Sequence, residues 1–365
     1  MLEHLIGLAE KLRRGDTGIL YQKGWLPEGE TVQKVQVASD GSMEVFFADG
    51  GVSSLIRSDL LLPRIFVQIA SYRDPELVPT IRSALDSAKY PDRISFGVCW
   101  QRDPATDSWD IFGDLFERLG VRFRYLDIHY KQAQGACWAR HKIQTELYLG
   151  EEYTLHVDSH TRFCQDWDEK LLKLQKMMER RGLTPVISSY PGTYYPDRDP
   201  EGRSETPLRI ILSNENLDGD GIPNLVPDHI QNYRDFHGEP ERGIFAAAGF
   251  MFGPGDLCRK VPHDPQMYFK GEETAISARL WTHGYDIFVP TKETILWHFY
   301  ERHGATRHWT DHPEWHKRHQ RSIERFRKLM LLQDTGKEVL GEFGLGTKRS
   351  LESFYEVAKV RPILP

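Results

Sequence analysis

From Arg64 onward, short apolar runs alternate with longer amphipathic stretches, and that rhythm restricts the chain to few architectures. Ile65-Phe66-Val67-Gln68-Ile69-Ala70 reads as a buried strand, Ser71-Tyr72-Arg73-Asp74-Pro75 as a loop, and Glu76 to Ala88 as a helix. Pro75 and Glu76 suit the helix's first turn, where a missing N–H costs nothing and a carboxylate meets the positive end of the dipole. Arg93 to Trp100 is the next strand, Trp109 to Leu119 a helix, Val121 to Leu126 a strand and Cys137 to Leu149 a helix. Tyr153-Thr154-Leu155-His156-Val157 is a further strand and ends at Asp158. Strands joined through helices run parallel, because each helix carries the chain back over a face of the sheet. The expected fold is therefore α/β: a parallel, doubly wound, Rossmann-like sheet with helices on both faces. Ligands of such sheets sit in the crevice beyond the carboxyl ends of the strands.

Further along, Trp167 to Glu179 reads as a helix and Pro185 to Tyr190 as a strand. Residues 191–241 are rich in Pro, Gly, Asp and Asn, and read as a long loop of the kind that recognises or covers substrate. Gly243 to Phe252 is apolar with small residues, Glu273 to Thr282 a helix, and Ile287 to Pro290 and Thr294 to His298 short edge strands. Residues 313–333 form a basic helix, and a last short helix follows a loop at 341–351. Before Leu62-Pro63 the character differs. Residues 3–14 read as an amphipathic helix, followed by strand-like runs at 18–22, 31–38, 42–47 and 52–56, with turn signals Asp40-Gly41 and Asp49-Gly50-Gly51. Val35, Val37, Val45 and Phe47 alternate as in a half-buried sheet, so a small five-strand SH3-like β-barrel is expected over about 14–61. The expected division is an accessory barrel at 1–62, a catalytic domain at 63–310 and a helical extension at 311–365.

A chain of 365 residues with 39% apolar and 27% charged content is long enough for one large core and a smaller one. Its net charge of −6 gives no cationic surface for nucleic acid. Cys99, Cys137, Cys164 and Cys258 form no CxxC pair, which argues against a zinc ribbon or a thioredoxin-type site. Met1-Leu2-Glu3-His4 lacks a secretion signal's cationic start, and no apolar window is long enough to span a membrane. A cytoplasmic protein is expected.

Four segments carry candidate chemistry. Asp158-Ser159-His160 puts a carboxylate and an imidazole at a strand exit, two residues apart and on one side of an extended segment. Both could reach one divalent ion, with oxygens of a diphosphate completing its shell; that mixture suits Mn²⁺ or Mg²⁺. A third ligand comes from the His-rich tail, where His298, His303, His308, His312, His316 and His319 all compete and spacing does not choose. Ser71, Tyr72, Arg73 and Asp74 lie where a doubly wound sheet receives a nucleotide: Tyr72 to stack on a base, Asp74 to accept a hydrogen bond or to cap the following helix. Gln134-Gly135-Ala136 opens a helix whose Arg140 could brace a diphosphate or Asp158. Gly271-Glu272-Glu273 opens another, with two carboxylates available to orient an acceptor hydroxyl or to steady a cationic sugar. Neither GxGxxG nor a Walker A run occurs.

In their order along the chain, these segments resemble the GT-A fold nucleotide-sugar glycosyltransferases. The likeness is closest to the polypeptide α-N-acetylglucosaminyltransferases that act on hydroxyproline or Ser/Thr, and to their bacterial relatives. It covers roughly 64–300 and rests on Ile69-Ala70-Ser71-Tyr72-Arg73-Asp74, His156-Val157-Asp158-Ser159-His160-Thr161-Arg162-Phe163 and Ala248-Gly249-Phe250-Met251-Phe252. The Asp-Ser-His form is also similar to that of the mucin-type polypeptide N-acetylgalactosaminyltransferases. This resemblance implies that Asp158, His160 and His298 hold manganese. It also implies a retaining transfer from a UDP-sugar, GlcNAc foremost, to a protein or glycan acceptor. Gly271-Glu272-Glu273-Thr274-Ala275 matches the acidic helix opening of those enzymes, with Ala275 where the pattern has a second glutamate. The likeness implies that Glu272 and Glu273 align substrates. Three rivals make different predictions: a glycan or lipid-linked acceptor, an inactive GT-A binding protein, and a metal-dependent hydrolase indifferent to uridine.

Overall fold

Before Pro63, alternation of apolar and polar residues is realised as three strands, Val32–Val37 (β1), Met43–Phe47 (β2) and Val52–Ile56 (β3). They form an antiparallel sheet in the order β1-β2-β3, with Val35 opposite Val45. The computed structural model describes residues 32–37, 43–47, 52–56, 63–235, 240–331 and 340–362. The helix expected at 3–14 and the strand at 18–22 lie outside the described residues, and the described strands make an open sheet with no closed barrel among them. The chain divides into two compact units at Pro63–Arg64.

The second unit is built on an eight-stranded sheet. Its strands are Ile65–Tyr72 (β4), Ile94–Arg102 (β5), Phe123–His129 (β6), Tyr153–Asp158 (β7), Pro185–Ser188, Glu241–Gly243, Phe250–Pro254 and Asp286–Val289. Counting also Thr161–Phe163 (β8), Gly192–Thr193 (β10), Leu208–Leu217 (β11), Pro223–His229 (β12) and Leu296–His298 (β16), the others are β9, β13, β14 and β15 in chain order. The sheet order is β13-β15-β9-β14-β7-β4-β5-β6. Strands β6, β5, β4 and β7 are parallel, as the βαβ rhythm requires. Side chains alternate across β4: Ile65, Val67 and Ile69 enter one core, and Phe66 enters the other beside Cys99, Ala139 and Ile143. The first core is closed by helices Leu77–Asp86 (α1), Leu115–Leu119 (α2) and Trp167–Glu179 (α4). The opposite face is closed by Ala136–Lys142 (α3), Leu257–Lys260 (α5) and Glu272–Thr282 (α6).

Several expectations are corrected. The sheet is mixed: β14 runs antiparallel to both of its neighbours, β7 and β9. A long excursion precedes β14, so it is free to enter from the far end, a freedom that a short helical crossover does not allow. Phe250 and Phe252 of β14 face one core and Met251 the other, so burial on both faces holds the reversed strand in place. Neither of the two expected edge strands is an edge: β15 lies between β13 and β9, and β16 lies between β10 and β8 in a separate three-stranded sheet. Within 191–241, strands β11 and β12 form a hairpin across the turn Asp218-Gly219-Asp220-Gly221, with Ile210, Leu212, Leu217 and Leu225 packed on a third core. The helix expected at 109–119 breaks at Gly113 (φ 51°), and that expected at 137–149 passes into a π turn at Ile143–Leu147. After β16 come His308–Asp311 (α7), Trp315–Leu329 (α8) and Leu351–Ala358 (α9); the last two pack against α6 in that third core. Among the described residues, no helix is long and apolar enough to cross a membrane.

Candidate active site

Asp158 closes β7 beside Ala70 of β4, at the carboxyl end of the parallel strands. The turn after it is pinned to α1 by the buried Thr80, whose hydroxyl donates to Ser159 O at 2.8 Å and accepts from the Thr161 N–H at 2.9 Å. Thr161 then starts β8. Pairing of β8 with β16 places His298 opposite Thr161, and the Phe299 N–H donates to His160 O at 3.1 Å. Backbone register is what selects His298 from the His-rich tail. Asp158, His160 and His298 each offer an atom within 4.8 Å of the other two.

The protonation of these groups suits cation binding. Asp74 Oδ2 accepts from His160 Nδ1, from the Ser159 hydroxyl and from Arg302, each at 2.7 Å. Burial alone would push the Asp74 carboxyl up, but these partners outweigh it and hold it at about 2. An ionised carboxylate only accepts, so His160 carries its proton on Nδ1 and turns a bare Nε2 toward the cleft. Burial lowers the His160 pKa, which keeps the ring neutral. Asp158 Oδ2 lies 3.2 Å from His298 Nε2, and Oδ1 lies 3.1 Å from Arg140. Burial opposes ionisation of Asp158, and His298 and Arg140 overcome it, so its pKa falls well below the usual carboxylate range. The buried Nδ1 of His298 has no hydrogen-bond partner among the described residues. Gly249 leaves room: a Cβ there would stand 2.9 Å from Asp158 Oδ2. The neutral His160, the imidazole of His298 and a carboxylate in an uncrowded corner fit a borderline divalent cation such as Mn²⁺.

Across the cleft lies the acidic opening of α6. Glu272 is buried and takes hydrogen bonds from Arg140, with His263 Nε2 at 3.3 Å from the same oxygen. Burial would raise the Glu272 pKa, but Arg140 and His263 bring it down to about 2. Glu273 goes the other way: burial and the neighbouring Glu272 charge raise it, although the Ala248 N–H (2.8 Å) and the Tyr190 hydroxyl (2.7 Å) both donate to it. Adjacent carboxylates are thus driven apart in acidity.

Asp158, His160, His298, Glu272 and Glu273 line one cleft of about 390 Å³, together with Tyr72, Asp74 and Arg140. Two predicted members of the β4 loop do not line it. Ser71 is buried with its hydroxyl unpartnered, and Arg73, in the left-handed region (φ 46°), reaches Asp311 at 2.8 Å. Asp74 serves two partners at once: Oδ1 accepts from the Glu76 N–H ahead of α1, while Oδ2 serves His160. The sequence reading missed Arg302, Tyr190, Tyr268, Phe269 and Trp309, all of which line the cleft. Arg302 lies four residues after His298, and that nearness in the chain to a candidate ligand was the available signal. Arg307 lines the cleft and His303 does not.

The fold is similar to the crystal structure of GalNAc-T7 with UDP, GalNAc and Mn²⁺, at a TM-score of 0.52 and 14% identity; the match covers 82% of this chain and 55% of that one. The chain thus spans about half the length of that relative. S. aureus TarS residues 1–349 align at a TM-score of 0.45 and 11% identity over 77% of this chain and 70% of theirs. The same TarS fragment with UDP-GlcNAc aligns at 0.45 and 13%, over 75% and 68%. No curated protein matches the sequence. The family model described as glycosyltransferase (GlcNAc) matches residues 64–112 and 112–364, nearly the whole of the second unit. With a GT-A sheet, a metal-ligand triad at its carboxyl edge and a match of that length, the chain belongs to the glycosyltransferase (GlcNAc) family.

Proposed function

We propose that the protein moves a sugar, GlcNAc foremost, from its UDP derivative to a hydroxyl of a protein Ser, Thr or hydroxyproline, with retention at the anomeric carbon. The observation that carries this reading is the triad Asp158, His160 and His298, facing Glu272 and Glu273 across a single cleft. Asp158, His160 and His298 hold Mn²⁺ or Mg²⁺, which when bound neutralises a departing diphosphate. Tyr72 lies at the cleft end of β4 and takes the nucleoside, while Asp74 acts through His160. Arg140 braces Asp158 and Glu272. Both oxygens of Glu273 and the inward oxygen of Glu272 are already hydrogen-bonded. Such engaged carboxylates suit substrate alignment and charge stabilisation rather than covalent attack, which favours front-face transfer. The catalytic domain in this reading is 63–310, flanked by an accessory unit at 1–62 and a helical extension at 311–365. The four cysteines are free and buried, in keeping with a cytoplasmic location.

The test is a panel of UDP-sugars with Mn²⁺ and with protein and glycan acceptors, read by UDP release and product mass. UDP release is expected with UDP-GlcNAc and is expected to fall by about 10²- to 10³-fold in Asp158→Ala. Hydrolysis of unrelated diphosphates with no preference for uridine, or a glycosyl adduct on Glu272 or Glu273, would sink the reading.

A further inference from the structure

Behind Glu272 runs a hydrogen-bonded chain whose far members, Gln144 and His263, lie outside the lining of the main cleft. Gln144, at the start of the π turn Ile143–Leu147, accepts from the main-chain N–H of His263 through Oε1 at 2.7 Å. That bond fixes the amide's orientation, so Nε2 is the atom lying 3.1 Å from His263 Nδ1, and it must donate. His263 Nδ1 is therefore an acceptor, and the ring proton sits on Nε2, 3.3 Å from Glu272 Oε1. The same Oε1 accepts from Arg140, whose other amino group reaches Asp158 Oδ1 at 3.1 Å and Ala248 O at 3.2 Å. His156 stacks edge-on against His263 at 5.0 Å and closes the remaining side.

Gln144, His263, Glu272 and Arg140 are at most 5% exposed, so water does not replace any bond that is lost. A buried Arg–Glu pair is already neutral and needs no further partner for charge. What the imidazole adds is direction. With two donors on one oxygen, the Glu272 carboxylate cannot roll, and the guanidinium that it holds stays on Asp158. A π turn at the origin of such a chain is where functional distortion of a helix is commonly found.

We propose that Gln144 and His263 are positioning residues of this site: Gln144 fixes the Nε2–H tautomer of His263, and through Glu272 and Arg140 this holds Asp158 Oδ2 toward His160 and His298. The proposal rests on the reading of Asp158, His160 and His298 as cation ligands.

The test measures Mn²⁺ binding to the full chain by electron paramagnetic resonance, with the metal-free melting temperature as the check on folding. His263→Leu removes the donor, and His263→Gln restores an N–H at the Nε2 position. Gln144→Glu is nearly isosteric but offers an acceptor to Nδ1, so the ring takes a proton there and no longer keeps the single Nε2–H tautomer. We expect His263→Leu and Gln144→Glu to weaken Mn²⁺ by about tenfold or more, and His263→Gln to stay within about threefold of the native protein. In ¹⁵N-histidine-labelled protein, the resonance lost in His263→Gln is expected to show a bare Nδ1, and to lose that signature in Gln144→Glu. Equal Mn²⁺ affinity in His263→Leu and His263→Gln, or a native His263 protonated on Nδ1, overturns the proposal while the cation site stands. A native protein that takes up no Mn²⁺ overturns the cation reading and the proposal with it. If His263→Leu does not fold, Gln144→Glu decides alone.

Discussion

The two walls of the cleft use the same three chemical groups to opposite ends. On one wall a buried Asp74 is satisfied by His160 and Arg302; on the other a buried Glu272 is satisfied by His263 and Arg140. Both carboxyls are held at about 2 against the pull of burial. In the first triple the imidazole turns Nε2 to the cleft and the carboxylate holds its Nδ1. In the second the imidazole stands behind and the guanidinium reaches forward to Asp158. A carboxylate–imidazole–guanidinium set is thus a way of fixing a ring's proton or a guanidinium's direction in a dry interior, and its orientation decides which group meets the ligand.

If the walls are built this way, removing the two carboxylates has unlike consequences. Glu272→Ala leaves Arg140 buried without its nearest partner and is expected to cost about 3–5 kcal/mol in urea denaturation, because an uncompensated charge remains inside. Near-native stability would mean that Asp158 alone satisfies Arg140, and the likeness of the two walls would fail.

Acid tests both triples together. A carboxyl depressed on folding contributes stability above its unfolded pKa and loses it as pH falls toward the folded value. For Glu272 the window runs from the ordinary 4.5 down to about 2, and for Asp74 from 3.8 down to about 2. The Glu272 contribution lost across its window is about 3 kcal/mol, at 1.4 kcal/mol per unit. Glu273 has the opposite sign: its pKa is raised, so it reduces stability as pH climbs above 4.5. Unfolding free energy measured from pH 6 to pH 2 should fall on the acid side. The fall should be shallower in Asp74→Asn and in Glu272→Gln, and should persist in Glu273→Gln.

Asp74→Asn is also expected to weaken Mn²⁺ by about 10- to 100-fold, since it removes the ionised acceptor that fixes His160. An unchanged affinity would show that Asp74 only fixes the turn ahead of α1. The smallest expected effect is that of Gly249→Ala. Its Cβ would crowd Asp158 Oδ2 at 2.9 Å and His298 Cδ2 at 3.8 Å, weakening Mn²⁺ by about tenfold with little change in melting temperature.

How much of this could be read from the chain differs by element. Helix α4 runs from Trp167 to Glu179 as its periodicity predicts, because its apolar face is written every three to four residues. Strand β4 was legible for a different reason: Ile65 to Ala70 is a short apolar run broken only by Gln68 and followed by a loop. The reversed β14 was not, because a short apolar run buried on both faces carries no mark of direction. The β11–β12 hairpin hid among turn-forming residues; Asp218-Gly219-Asp220-Gly221 is its turn, but the partly exposed strands around it show only a weak pattern. Tyr72 was read as a cleft residue and lines it, while its neighbour Arg73 turns away to Asp311. A loop places each side chain by its own dihedral angles and not by a shared period.

By itself the sequence determined the alternation of strands and helices, the position of a strand's end at Asp158, and the adjacency of that carboxylate to His160. All of these depend on neighbours in the chain, and local periodicity records them. Only the tertiary structure chose His298 among the tail histidines, set Asp74 behind His160, and joined Gln144, His263, Glu272 and Arg140 into one line behind Asp158. Those choices are made by pairing between distant strands and by the need of buried charges for partners. No residue announces its partner until the backbone has brought them within hydrogen-bonding reach.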